Sequence, residues 1–486
     1  MTVNLFLTIF HSQILLQSAS DLYASDVWAG SLAPQPLDII IILFYLTVIY
    51  AVAKSIERKN IDKNHLYKYF VSGLFVKIFG GIAFCLIFHL YYHEQGDTFT
   101  YFRSSEALVN LMFKNFYRFF LVFTGDSSWE TYSYFDITTS WPIYYAQDFQ
   151  TFAVIRFLSP VTCLAFKNYY TTTILLDVLT YFGMWKLYTI FCKINPSLYK
   201  QFAIAVLFVP SVTFWGSGIL KDSFTISFAC LYTHNFYRIF IERKKLFINI
   251  LGLVLAVYVI ISIKPYIFLA LMPGSIIWLS FNRLKSIKSR FLKVLIGPFI
   301  IGIGFFATST LLSGLSSKMG TYSSMDKIVE KAQKTQQDLI RGEQYGSNYY
   351  NIGEFDGSMQ SMLTKAPVAI TAGLFRPFLW EARNPVMIIS ALENTVMLIF
   401  VLMVLFKVGP FRTISIISSE PILIFSFLFA IFFAFSVGLT TANFGALVRY
   451  RIPAIPFFVA GLFILRQRVY EITEERKIKY LKSISK

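Results

Sequence analysis

Residues 69–92 read YFVSGLFVKIFGGIAFCLIFHLYY and run directly into His93-Glu94-Gln95-Gly96-Asp97-Thr98-Phe99-Thr100-Tyr101. The first stretch is long enough, and poor enough in charge, to cross the hydrocarbon layer as a helix, which takes about 20 apolar residues. The second turns polar at the mouth of that helix. Working outward, similar apolar runs predict crossings near 37–54, 69–92, 170–192, 199–215, 222–240, 246–263, 266–283, 293–313, 386–406, 420–439 and 452–465. The expected fold is all-α: a polytopic membrane protein of about 11 transmembrane helices, with outer juxtamembrane and re-entrant helices. Hydrophobic residues make up 56% of the 486-residue chain and charged residues 15%. One helical membrane body thus absorbs a length that would otherwise suggest several soluble domains.

The net charge is +17, but its placement speaks against nucleic acid as a partner. Lys54, Arg58, Lys59, Lys63 and Lys68 follow the first crossing, and Arg283, Lys285, Lys288, Arg290 and Lys293 precede the eighth. The tail from Arg466 carries seven basic residues against three Glu. All three clusters fall on one side if the N-terminus lies outside and the C-terminus in the cytoplasm, as the positive-inside bias requires. Anionic lipid on that face is the simplest partner for them. Cys85, Cys163, Cys192 and Cys230 lie in or beside apolar segments without metal-ligand spacing and read as packing residues. Met1 to Ser20 lacks a basic n-region and a small-residue cleavage site, so it is expected to be an interfacial helix rather than a removed signal.

The chain therefore divides into an N-terminal interfacial segment (1–36), two crossings (37–92), an outer loop (93–169), a transmembrane block (170–313), a second outer loop (314–385), the last crossings (386–465) and a basic cytoplasmic tail (466–486). Two apolar runs, 151–166 and 366–380, would reverse the parity if they spanned; they are read as re-entrant or interface-lying helices. Residues 107–123 hold Lys114 and Arg118 in an apolar pattern, as an interfacial amphipathic helix does.

Basic residues in the outer loops run against the positive-inside bias, which makes them informative. Lys221-Asp222 follows the turn Phe214-Trp215-Gly216-Ser217-Gly218. Lys264-Pro265-Tyr266 joins two crossings, and Arg449-Tyr450-Arg451-Ile452-Pro453 opens the last. Arg376 and Arg383 flank a re-entrant candidate that also carries Glu381. Cations gathered at an outer interface suit an anion with an apolar tail, such as a polyprenyl phosphate, and the guanidinium fork matches phosphate oxygens best. Alternatively, each pairs with a nearby carboxylate or snorkels to headgroups.

On the acidic side, Asp97 and Glu94 sit on a glycine-permitted turn at the mouth of a crossing, with His93 beside them. A carboxylate there can act as general base toward an acceptor hydroxyl or amine. The same groups can help to hold a divalent cation, though one His and two carboxylates are thin metal evidence, and a helix start explains Gly-Asp-Thr equally well. Lys77, Asp177 and Glu393 lie in or at the edge of crossings, where an unpaired charge is costly, so Asp177 is expected to pair with a neighbouring Lys or Arg. His89 and His234 read as structural histidines.

In these features the chain resembles the GT-C superfamily of integral membrane glycosyltransferases. The resemblance rests on Gly96-Asp97 in the first large outer loop, on Pro210-Ser211-Val212-Thr213-Phe214-Trp215-Gly216-Ser217-Gly218-Ile219-Leu220-Lys221-Asp222, and on Arg449-Tyr450-Arg451-Ile452-Pro453-Ala454-Ile455-Pro456. It implies that Asp97 is the catalytic carboxylate, that the late Arg-Pro-Pro run starts a helix near the donor phosphate, and that the donor is a polyprenyl-phosphate sugar. The acceptor would be a glycan, lipid or protein. Arg449, Arg451, Arg376, Lys221 and Lys264 become candidate phosphate ligands, with Asp222, Glu381 and His93 in support. Unlike the family pattern of adjacent acidic residues, Glu94 and Asp97 are separated, and the loop follows the second crossing rather than the first. A polysaccharide polymerase or ligase using a lipid-pyrophosphate donor, a lipid-linked substrate flippase or transporter, and a structural envelope role remain competing readings.

Overall fold

The computed structural model describes residues 32, 34–93, 96–125, 127–286, 350, 352–353, 358–383, 385–441 and 443–484. Among them the regular structure is helical. The helices that matter below are α1 (Pro36–Ile61), α2 (Phe70–Leu90), α3 (Asp97–Lys114), α4 (Phe149–Leu164), α5 (Tyr169–Ile194), α6 (Pro210–Trp215), α7 (Lys221–Phe236), α8 (Leu246–Ile263), α9 (Pro265–Ser286), α10 (Ala366–Phe375), α11 (Pro385–Val408), α12 (Pro421–Thr440), α13 (Phe444–Tyr450) and α14 (Ile455–Ile484).

Seven of the described helical stretches are long and apolar enough to cross a membrane: α1, α2, α5, α8, α11, α12 and the run through α13 and α14. They match seven of the expected crossings. Their outer surface is apolar: Leu37, Ile40, Phe44, Phe247 and Phe406 all stand open on it. An apolar exterior this extensive is stable against lipid and not against water. The chain is accordingly a helical multi-pass membrane protein.

The other expected crossings fare differently. The 222–240 and 266–283 stretches are helical as α7 and α9, whereas 293–313 lies outside the described residues, as do 1–31. The 199–215 stretch is not one helix. It runs through a wide turn at Ile204–Phe208 to an extended Val209 (φ −65°, ψ 123°), and α6 starts afresh at Pro210. Proline disfavours helical geometry at the residue before it and supplies no N–H to continue the ladder. The amphipathic 107–123 segment is likewise two helices. Asn115 adopts extended geometry (φ −153°), ends α3, and its side chain caps Phe116–Thr124 through the Arg118 N–H.

The two short apolar runs are held by protein. α10 has 10 residues, about 15 Å of helix and half a bilayer. It lies along α12, with Gly373 against the Ala434 backbone and Gly438 of α12 against the Ala369 backbone, a contact that any side chain would prevent. α4 is capped by Asp148 and buried on most of its faces against α3, α5 and α8.

The 97–164 region has its own apolar core. Phe99, Phe102, Leu108, Phe152 and Ile155 pack together and onto Tyr169 and Tyr170 at the start of α5. This helical layer sits over the ends of α2, α5 and α7, and that is what places Asp97.

Inside the body, Asp177 of α5 pairs with Lys77 of α2 at 3.7 Å, as expected for an intramembrane charge. Lys77 Nζ also donates to the Gly216 carbonyl at 2.5 Å, and Asp177 accepts from the Gly218 N–H at 3.3 Å. Gly218 takes φ 79°, which a residue with a side chain adopts only with strain. The buried pair therefore anchors the turn that delivers Lys221 and Asp222. Glu393 of α11 accepts from the Ser211 N–H (2.8 Å) and hydroxyl (2.5 Å) at the start of α6.

Candidate active site

Asp97 is the first residue of α3, and Gly96 before it has φ 123°, a conformation that glycine alone adopts without cost. The glycine thus sets the angle at which α3 leaves the second crossing. A carboxylate at this position also faces the positive end of the α3 dipole. The Asp97 side chain keeps 41% of its surface open.

Four elements distant in sequence meet at this point. Arg449 at the end of α13 donates from Nη2 to Asp97 Oδ2 (3.1 Å) and from Nε to Asp222 Oδ2 (2.9 Å). Lys264, between α8 and α9, donates from Nζ to Asp222 Oδ1 at 2.5 Å. The result is a continuous chain, Asp97–Arg449–Asp222–Lys264, open at Asp97 and closed at Asp222, which is fully buried. Desolvating Asp222 is tolerable because two cations satisfy it. Tyr450 forms a wall, with Lys264 Nζ 4.6 Å and the Arg449 guanidinium 5.8 Å from its ring centre.

Lys221 stands on the α4 side. Its Nζ donates to Thr151 Oγ1 (2.6 Å) and lies 3.7 Å from Asp148 Oδ2. Tyr101 follows Asp97 by one helical turn and is buried. Burial first, and then the Asp97 carboxylate, push its phenol well above the ordinary range, so it remains a proton donor at neutral pH. Tyr144, half-buried, is raised by burial and then by Asp97 and Asp148.

Two expected phosphate ligands stand apart from this chain. Arg451 is almost wholly buried and donates from Nη1 to the carbonyls of Leu374 and Arg376, each at 3.0 Å, and from Nη2 to Asn394 Oδ1. It ties the end of α10 to α11 and turns no free donor edge outward, a structural task rather than anion binding. Arg376 pairs with Glu381 through Nε (3.0 and 3.1 Å) and Nη2, and its guanidinium lies 4.6 Å from the Tyr350 ring and 5.4 Å from that of Phe444. Since Phe444 begins α13 and Arg449 lies near its end, that short helix links the two basic centres. His93 is exposed with φ 49°, and Glu94 lies outside the described residues. Among the described residues no group of three or more His, Cys, Asp or Glu side chains gathers as a metal site requires.

Sequence reading overlooked Tyr101, Tyr144, Asp148, Thr151 and Tyr450. Two had a signal: Tyr101 is four residues after Asp97 on one helix face, and Asp148 precedes an apolar run as a helix cap does. No family model matches this chain, and neither the curated proteins nor the solved structures contain a significant match to it.

Proposed function

We propose that this protein is a GT-C-like integral membrane glycosyltransferase. It transfers a sugar from a polyprenyl-phosphate donor to an acceptor at the outer face of the cytoplasmic membrane. The full span count in this reading is about 11, with the N-terminus outside and the C-terminal tail in the cytoplasm, as the basic 54–68, 283–293 and 466–486 stretches favour. The observation that carries the proposal is the 3.1 Å contact between Asp97 and Arg449. It joins the acidic turn of the first outer loop to the late arginine motif, two of the three features on which the resemblance rests.

As placed, Asp97, Asp148 and Asp222 balance Lys221, Lys264 and Arg449. A donor phosphate entering this cluster competes with Asp97 for Arg449, because Asp97 is the exposed partner and Asp222 the buried one. Released from the guanidinium, the Asp97 carboxylate is free to accept the acceptor proton. The sugar's C1–O bond to the carrier then breaks as the bond to the acceptor oxygen or nitrogen forms. Charge developing on the departing lipid phosphate falls to Arg449 and Lys264, which are fixed in advance by Asp222. The lipid tail lies along the apolar outer surface, so donor binding needs no nucleotide pocket.

Purified protein in proteoliposomes with a labelled polyprenyl-linked sugar tests this reading. Transfer should proceed without an ion gradient, and Asp97→Asn should slow it about 10²–10⁴-fold. A mild effect of Asp97→Asn beside a severe one of Arg449→Gln would favour the lipid-pyrophosphate polymerase or ligase instead. Movement of the lipid across the bilayer without product would overturn the enzyme reading in favour of a flippase.

A further inference from the structure

α2, α5 and α7 each have one end at the Asp97 cluster and the other at a second site. α5 and α7 start at the cluster and have 26 and 16 residues, so their far ends lie about 24–39 Å away, a bilayer's thickness. There a cavity of about 370 Å³ opens between Asn64 and His65 ahead of α2, Thr189 and Lys193 near the end of α5, and His234 and Arg238 at the end of α7.

Charge in this cavity is not balanced. Glu242 pairs with both Lys193 and Arg238, which holds the ammonium and the guanidinium side by side at the rim. It is the one carboxylate in the segment Arg238–Lys245, against Arg238, Arg243, Lys244 and Lys245. Lys186, one turn below Thr189 on α5, lies close enough to Arg238 and Lys245 to be repelled by both. The C-terminal dipoles of α5 and α7 offset part of this excess, but each amounts to about half a charge. The Lys193 side chain keeps 49% of its surface open and that of Arg238 20%, so both can reach a ligand without leaving Glu242. Asn64 and Thr189 add neutral polar groups at the wall, His65 and His234 add imidazoles, and Leu66, Ile190, Cys192 and Pro196 complete the lining.

We propose that this cavity binds a phosphate-bearing anion through Lys193 and Arg238, either an anionic lipid headgroup in the leaflet opposite Asp97 or a soluble phosphate ester. Basic pockets between membrane helices hold phosphate headgroups in this way, and the guanidinium fork suits two phosphate oxygens. The site is independent of glycosyl transfer and stands if that reading fails.

Native mass spectrometry of the purified full chain, with dioleoyl phosphatidylglycerol against dioleoyl phosphatidylcholine, reads the lipid source; thermal unfolding with inorganic phosphate reads the soluble one. Retention of phosphatidylglycerol over phosphatidylcholine, reduced roughly thirtyfold in Lys193→Met/Arg238→Met, supports the lipid form. Stabilisation by inorganic phosphate that the double variant loses, without lipid preference, supports the soluble form. The single Lys193→Met variant changes a half-exposed side chain and leaves Glu242 paired with Arg238; it should give roughly a fivefold reduction. Equal retention of both lipids, together with phosphate responses unchanged by either variant, overturns the proposal.

Discussion

Arg449 and Arg451 are two residues apart, yet their surroundings have little in common. Arg449 bridges two carboxylates contributed by α3 and α7, one of them open to the outside. Arg451 is enclosed and its two Nη atoms donate to two backbone carbonyls and an amide oxygen. A charge held by exchangeable ionic partners can be recruited by an incoming anion. A charge consumed in satisfying buried backbone acceptors cannot, and its value is to the fold. The chain turn that follows α13, into Ile452–Ala454, separates an ion pair with an exposed partner from a buried anchor.

Substitutions should sharpen this contrast. The largest loss of stability is expected for Arg451→Ala, which orphans three acceptors at the α10–α11 junction and opens a cavity; about 4 kcal/mol is a reasonable scale. Urea or thermal unfolding in detergent measures it, and an unchanged midpoint would erase the distinction. Asp222→Asn follows at about 3 kcal/mol, because it strands Lys264 and Arg449 in a desolvated site; its loss of transfer should exceed what the lost stability alone explains. Asp97→Asn removes the exposed end of the same chain and should cost less than about 1 kcal/mol. Coupled to a large loss of transfer, that would mark Asp97 as a working group rather than a brace.

A separate, pH-dependent effect concerns Glu106 on α3, whose carboxyl is raised to about 7, first by burial, with Arg103 and Lys167 opposing. Below about pH 4.5 it is protonated in both folded and unfolded chains and makes no demand. Between there and pH 7 the unfolded chain ionises and the folded one resists, so stability falls as pH rises and the penalty is complete above 7. Glu106→Gln should therefore stabilise the protein more at pH 8 than at pH 5, as paired unfolding curves would reveal.

Much of the framework was legible in the linear pattern. Runs such as 69–92 and 246–263 could be read as crossings because a bilayer accepts little else. Asp177 announced a partner for the same reason, although not that the partner would be Lys77. The break at Val209–Pro210 was also readable, since proline restricts its predecessor locally, but hydropathy alone treats 199–215 as continuous. The 97–164 layer was harder. Its apolar residues are spread among polar ones, and only their meeting with Tyr169 and Tyr170 makes a core.

By itself the sequence determined that this chain lives in a membrane and where its longest apolar helices run, because hydropathy acts residue by residue. Which cations face a carboxylate, which are locked onto backbone, and that Asp97 meets Arg449 across 352 positions, only the tertiary structure decided. Pairing of groups so distant depends on the tilt and packing of the helices between them, and no local pattern encodes that.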